Sequence, residues 1–213
     1  MKLYYNPLST YSQKALIALY EKQVAFEPVL VSLMTPEGKA EYEKIYPIGK
    51  VPLLKPSEDH QIPESTIIIE YLEGHYSTGT RLIPDGVDEA RQVRFIDRMA
   101  DLYLTDSSAT LLFEKFGFSK HTEEQLAKAT KYLRISFEQL DKKLAGQEWV
   151  CGTFSMADCA VIPALFYCQF IAPFSDYANI VSYYERAKQR PSYAKVMAEF
   201  VPIWEGLQSK AAG

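Results

Sequence analysis

The sequence has few cysteines: Cys151, Cys159 and Cys168, three in 213 residues and all in the last third. So small and odd a number forms no disulfide framework and fits a reducing compartment. A basic surplus is missing too. The chain sets 23 Lys and Arg against 27 Asp and Glu, a net charge of −4, without the excess or stripe that nucleic-acid binding needs. Long apolar runs are absent: nothing nears the roughly 20 residues of a membrane-spanning helix. Met1 to Tyr5 runs straight into Asn6-Pro7, unlike the apolar segment of a secretory leader. His60, His75 and His121 are scattered, and no Cys/His/Asp spacing points to a metal. Internal repeats and low-complexity tracts are also lacking. What is present is ordinary for a globular chain. Hydrophobic residues make up 47% and charged residues 23%, enough apolar side chain for a core. The length allows one or two domains, and the expected location is the cytoplasm, with no nucleic-acid or membrane partner.

Lys2-Leu3-Tyr4-Tyr5 is short, apolar and aromatic and stops at Asn6-Pro7, the pattern of a buried strand. From Ser12 on, Ala15, Leu16, Ala18, Leu19 and Tyr20 supply one helical face, with Gln13, Lys14, Glu21 and Lys22 outside. A β-branched, apolar stretch over residues 26–33 predicts a second strand. Thr35-Pro36 opens a helix that runs to about Ile45. Residues 51–54 and 61–62 read as two short strands about a turn. The run Ile67-Ile68-Ile69 fits a strand by β-branching, but the Ser65 cap and the spacing of Tyr71 and Leu72 favour a helix. Strand, helix, strand, helix, strand, strand, helix in about 75 residues is an α/β unit with a mixed sheet. Residues 77–86 are linker in composition. Beyond them, long helical periodicities cover 87–115, 122–145, 154–170, 176–189 and 192–206. The expected domains are therefore 1–76, a linker 77–86, and an all-helical 87–213.

Three loops have the makings of a site. Ser9-Thr10-Tyr11-Ser12 joins the first strand to the first helix, where α/β folds place ligands. A helix start there offers unpaired N–H groups and a positive dipole end to an anion or thiolate; equally, Ser9 or Ser12 serves as a plain cap. In Gly49-Lys50-Val51-Pro52, a proline opening a strand tolerates a cis bond that turns the Val51 backbone toward an extended peptide; base rates favour an ordinary trans turn. Glu64-Ser65 at a helix start can hold a carboxylate and an amino group, or act as a simple cap with an acidic neighbour. Further on, Ser155-x-x-Asp158 is a capping box, with Ser155 accepting the Asp158 N–H and Asp158 reaching back to the Ser155 N–H.

Taken together, Leu-Tyr-Tyr-Asn-Pro-Leu-Ser-Thr-Tyr-Ser-Gln-Lys, then Tyr-Pro-Ile-Gly-Lys-Val-Pro-Leu-Leu, then Pro-Glu-Ser-Thr-Ile-Ile-Ile-Glu-Tyr-Leu resemble the thioredoxin-like domain of the glutathione S-transferase family. Thr153-Phe154-Ser155-Met156-Ala157-Asp158 and Arg190-Pro191-Ser192 extend the resemblance over nearly the whole chain. It implies an α/β thioredoxin-like N-terminal domain followed by an all-α C-terminal helical domain. It also implies a homodimer, glutathione as co-substrate without a metal, and transfer of its thiolate to a small electrophilic molecule, as in detoxification.

Residue by residue, the resemblance implies that Val51 holds the cysteinyl part of glutathione through its backbone, with Pro52 cis. Glu64 and Ser65 take the γ-glutamyl end, and Lys50, helped by Lys39, meets the glycine carboxylate. Ser9 matches the hydroxyl of the serine-type classes (theta, zeta and phi), which donates to the glutathione sulfur and stabilises the thiolate. Tyr5 and then Thr10 are the alternates for that donor. Tyr4 and Tyr5 point to opposite strand faces, so at most one reaches the site. Tyr11, Tyr103, Ser107, Leu111, Phe166 and Phe170 are the candidates for the second-substrate pocket, between the domains.

The departures matter as much. Thioredoxins and glutaredoxins carry Cys-x-x-Cys where this chain has Ser9-x-x-Ser12, so a mixed disulfide to the protein cannot form in this loop. The zeta-class isomerases resemble Ser-Ser-Cys-x-x-Arg here; Tyr11 and Lys14 replace the cysteine and arginine, which disfavours that activity. Tyr46 stands where the family has asparagine. Two other readings of the same fold remain beside conjugation: a non-catalytic glutathione-binding or protein-interaction member, and a glutathione-dependent disulfide reductase.

Overall fold

The computed structural model describes residues 1–211; the last two residues of the expected helical domain, 212–213, lie outside the described residues. The chain forms two compact units, one of Met1–Arg81 together with the chain from Lys195 on, the other of Leu82–Ala194. The sequence predicts one helical domain from residue 87 on; the chain from Lys195 is grouped with the first unit.

The first unit is built on β1 (Lys2–Tyr5), α1 (Thr10–Glu21), β2 (Glu27–Leu30), α2 (Pro36–Glu43), β3 (Leu53–Ser57), β4 (His60–Pro63) and α3 (Ser65–His75). The sheet order is β2-β1-β3-β4, with β1 and β2 parallel and the other pairs antiparallel. This is the mixed sheet that the element order predicts, in the thioredoxin-like form that the resemblance implies. β2 is shorter than expected because it is an edge strand with little buried on either face. The isoleucine run is helical: Ile68, Ile69 and Leu72 are buried on one face of α3 while Ile67 is exposed. α1 and α3 are tied at both ends. Near their starts Lys14 Nζ donates to Thr66 Oγ1 at 2.8 Å, and near their ends Lys22 Nζ pairs with Glu73 Oε1 at 2.8 Å. Both lysines are buried, as are Gln13 and Glu21, against the expectation that these four lie outside; each side chain bonds a partner within the first unit. After α3 the chain folds back on α1, where Thr80 N–H donates to Glu21 O at 2.8 Å. Gly79 sits there at φ +66°, with its absent Cβ position 2.0 Å from the Glu21 carbonyl oxygen, so only glycine fits.

The second unit is helical: α4 (Val87–Met99), a π-helical stretch (Ala100–Thr105), α5 (Asp106–Lys115), α6 (Glu123–Leu144), α7 (Met156–Ile171), α8 (Ala178–Lys188) and the start of α9 (Pro191–Ala211). Every residue of α7 from Met156 to Cys168 is buried, as expected of a central helix that is apolar all round. The capping box at its start is larger than the sequence implies. Besides the Ser155 N–H at 2.9 Å and the Ser155 hydroxyl at 3.1 Å, the Asp158 carboxylate accepts the Val150 N–H and the Tyr183 hydroxyl, each at 3.0 Å. Among the described residues no helix is long and apolar enough to cross a membrane.

Candidate active site

Strand register decides which loops meet. Tyr4, one residue from the end of β1, faces Leu53, the first residue of β3, and Leu53 faces Pro63, the last of β4. The segments that leave or enter the sheet at that end are residues 6–9, 49–52 and Glu64–Ser65. These are the three loops that the sequence singles out.

The first loop is held from all sides. Ser9 is the N-cap of α1, and its Oγ accepts the Ser12 N–H at 3.2 Å. A hydroxyl that accepts in this way keeps its own proton to give. The helix start adds unpaired amides and the positive end of the dipole. Thr10 and Tyr11 are half-buried in the first turn of α1. Tyr5 goes elsewhere: its phenol donates to Glu199 Oε1 at 2.5 Å. Burial first, and then that hydrogen bond, raise its pKa above the ordinary value, so at neutral pH the group remains a phenol bound to α9. Tyr4 lies on the opposite face, against Tyr42, with ring centroids 6.1 Å apart.

The second loop carries the Val51–Pro52 peptide bond in cis. Val51 is anchored by its side chain in a cluster with Val31, Tyr42 and Leu53. The Tyr42 hydroxyl donates to the Lys50 carbonyl at 2.8 Å. Lys50 and Lys39 are exposed, and Lys39 Nζ lies 3.8 Å from Glu43 Oε1 on α2. Tyr46 packs on the same cluster. Burial, and then the Glu64 carboxylate, raise its pKa.

In that third loop Ser65 is buried at the first position of α3, and Glu64, exposed, stands before it at φ +69°. A glutamate in this region is a genuine backbone outlier, and such strain gathers at ligand-binding positions. No residue-type signal announces it, since Gly or Asn is the usual occupant. Tyr42, which braces the second loop, has no signal in the sequence, and Gln13, expected on the outer side of α1, is fully buried and braces the first loop. An asparagine before proline marks a turn, and only folding shows what its side chain grips.

The chain has known relatives over most of its length. Residues 3–80 match the glutathione S-transferase N-terminal domain and residues 123–186 the glutathione S-transferase C-terminal domain, together more than half the chain. The chain belongs to the glutathione S-transferase family. Glutathione S-transferase hmp2 of Hypomyces subiculosus is 30% identical over 93% of this chain and 98% of its own. Glutathione S-transferase F10 of Arabidopsis thaliana is 28% identical over 92% and 96%. Among solved structures, a glutathione S-transferase of Methylobacillus flagellatus with glutathione bound superposes with a TM-score of 0.81 at 26% identity, over 92% of this chain and 98% of that one.

The candidates for the second-substrate pocket sit on several elements. Tyr11 belongs to the first unit and the other five to the second. Tyr103 sits in the π-helical stretch, edge-on to Tyr132 at 5.1 Å. With Phe95, Ile96, Met99 and Ile135 these two rings line a largely apolar cavity of about 710 Å³ between α4 and α6. Ser107, buried, and Leu111, half-buried, are on α5. Phe166 and Phe170 are neighbours on α7, 5.3 Å apart. None of these four lines the cavity at Tyr103. The cysteines all lie in the second unit. Cys159 and Cys168 are fully buried, and burial pushes the half-buried Cys151 thiol up to about 11.

Proposed function

We propose that this glutathione S-transferase family member binds glutathione at the end of its sheet and transfers the glutathione thiolate to a small electrophilic molecule. The observation that carries the reading is Ser9, a hydroxyl fixed at the start of α1 with its proton free to donate, in a loop without a protein thiol. In this reading the Val51 backbone meets the cysteinyl unit, Glu64 and Ser65 hold the γ-glutamyl end, and Lys50, with Lys39, meets the glycine carboxylate. Ser9 Oγ–H donates to the glutathione sulfur. A free thiol ionises near pH 8.5, so a drop of about two units makes the thiolate dominant at neutral pH. The thiolate then attacks an electrophilic carbon; a C–S bond forms, and a leaving group departs or a proton is taken up from water. Proximity supplies much of the rate. Thr10, beside Ser9, is the remaining alternate donor.

The three cysteines favour conjugation over disulfide exchange through a protein thiol. They are distant in sequence from the Ser9 loop, and the thiols of Cys151 and Cys168 are held above their ordinary pKa by burial. The cavity at Tyr103 supports a further part of the reading, a homodimer. Phe95, which lines the cavity, is exposed, as suits a surface covered by a second copy. Sedimentation should then show a dimer, and a charge at Phe95 should yield monomers. A cytoplasmic location completes the proposal.

Ser9→Ala tests the central step. Expected are glutathione binding close to wild type and a conjugation rate at least tenfold lower, about 1.4 kcal/mol or more at the barrier. Unchanged turnover sinks the Ser9 role and turns attention to Thr10. Wild-type protein that does not bind immobilised glutathione sinks the whole reading.

A further inference from the structure

The geometry points to Asn6 as a positioning residue that sets the direction of the Ser9 hydroxyl. This rests on the reading of Ser9 as the thiol-orienting group. All four of Asn6's polar groups are committed to the loop that carries Ser9 or to what the loop leans on. Its backbone N–H donates to Ser12 Oγ at 3.2 Å, and its carbonyl accepts the Ser9 N–H at 3.0 Å. Side-chain Oδ1 accepts the Leu8 N–H at 2.9 Å, and Nδ2 donates to the Val31 carbonyl at 2.9 Å, just past the end of β2.

Ser12 closes the circuit. Its hydroxyl receives the Asn6 N–H, while its own N–H donates to Ser9 Oγ. The Asn6 backbone therefore fixes Ser9 twice, through the Ser9 amide and through Ser12, and the Asn6 side chain holds that backbone in place through its bonds to Leu8 and Val31. A second clamp comes from Gln13, fully buried on α1, whose Nε2 donates to the Pro7 carbonyl at 2.7 Å. With the Tyr5 carbonyl taken by the Val31 N–H at 2.8 Å, the loop backbone is held at each of these steps, and the Ser9 hydroxyl proton is left to a ligand.

Asparagine is specified here because one side chain must both accept, from Leu8, and donate, to Val31. Aspartate fills the same volume but cannot donate to a carbonyl, and it adds a negative charge beside a developing thiolate. Alanine removes both bonds and lets the loop turn. The consequence appears at the sulfur and not in peptide affinity, because the Glu64–Ser65 and Val51 loops keep their own supports.

The test compares Asn6→Ala, Ser12→Ala, Ser9→Ala and the Asn6→Ala/Ser9→Ala double variant. The readout is the pH titration of the bound glutathione thiolate by its ultraviolet absorbance, beside glutathione Kd and kcat. Asn6→Ala is expected to raise the bound thiol's pKa by about one unit, a tenfold loss of thiolate at low pH, with Kd near wild type and kcat reduced. Ser12→Ala should move it the same way; it removes a single acceptor and carries the test if Asn6→Ala does not fold. The double variant should match Ser9→Ala alone, because Asn6 acts only through Ser9. If Ser9→Ala raises the thiol pKa while Asn6→Ala and Ser12→Ala leave it at the wild-type value, the Asn6 role is overturned and the Ser9 reading survives. A double variant shifted beyond Ser9→Ala also overturns it. If Ser9→Ala leaves the pKa unmoved, the Ser9 reading itself fails and the Asn6 role falls with it.

Discussion

Tyr5 and Ser9 are four residues apart, both carry hydroxyls, and their surroundings separate them. The phenol of Tyr5 is spent on Glu199, and the pKa shift that follows from burial and from that bond makes it a poorer proton donor. Ser9 accepts from a helix-start N–H, which polarises its hydroxyl toward donation. Tyr5→Phe therefore belongs to stability. A hydrogen bond to a carboxylate contributes about 1.5–3 kcal/mol, and because Glu199 is half-buried, a loss of about 1–2 kcal/mol in urea unfolding is expected. The thiol pKa should stay where it is. A Tyr5→Phe protein whose bound thiol titrates higher than wild type would falsify this division of labour. Much of this region is legible in the sequence, since Ser9, Val51-Pro52 and Glu64-Ser65 are contiguous motifs with local reasons for their positions. What supports them is less legible. Tyr42 grips Lys50 and Asn6 grips Val31, and residues of those types at those positions have no signal until the sheet brings their partners near.

At the scale of elements, local patterns carried the strands and helices of the first unit, and burial corrected their extent. The β-branched run at 67–69 became a helix because three apolar residues at helical spacing find a core, a tertiary choice over an intrinsic one. The start of α7 shows the opposite limit. The four-residue Ser155–Asp158 pattern is readable, but the Val150 amide and the Tyr183 phenol come from outside the box. The buried carboxyl they serve has a pH signature. Burial pushes the Asp158 carboxyl up to about 6, with the hydrogen bonds pulling the other way. A carboxyl whose pKa rises on folding favours the folded chain when protonated. Its contribution is fully present below about pH 3.8 and is lost as pH climbs through about 6. Asp158→Asn does not titrate, so the stability difference between wild type and this variant should shrink by about 3 kcal/mol across that window. Urea midpoints at the two ends measure it. A difference that stays flat would mean that the four donors outweigh desolvation and keep the carboxyl near its ordinary pKa.

At the scale of the whole molecule, the distribution of groups separates holding glutathione from activating it. The three cysteines lie in the second unit and the three loops proposed to hold glutathione in the first, so in the proposed reaction the reactive sulfur arrives with the ligand. A ligand bound only by the folded state stabilises by RT ln(1 + [L]/Kd), about 2.7 kcal/mol at a hundredfold excess over Kd. For a chain of this length that is a rise in Tm of roughly 5–10 °C. The size of the rise depends on the groups that hold the peptide, not on the hydroxyl that faces the sulfur. Ser9→Ala should therefore keep most of the shift, and Ser65→Ala should lose most of it at the same glutathione concentration, because Ser65 is buried at the start of α3 where the γ-glutamyl carboxylate docks in the proposed complex. Calorimetry of the wild type and both variants, with and without glutathione, separates the roles. Equal shifts in all three would move the binding determinants away from the Glu64–Ser65 loop, and a shift lost in Ser9→Ala would make Ser9 a binding residue first and a catalytic residue second.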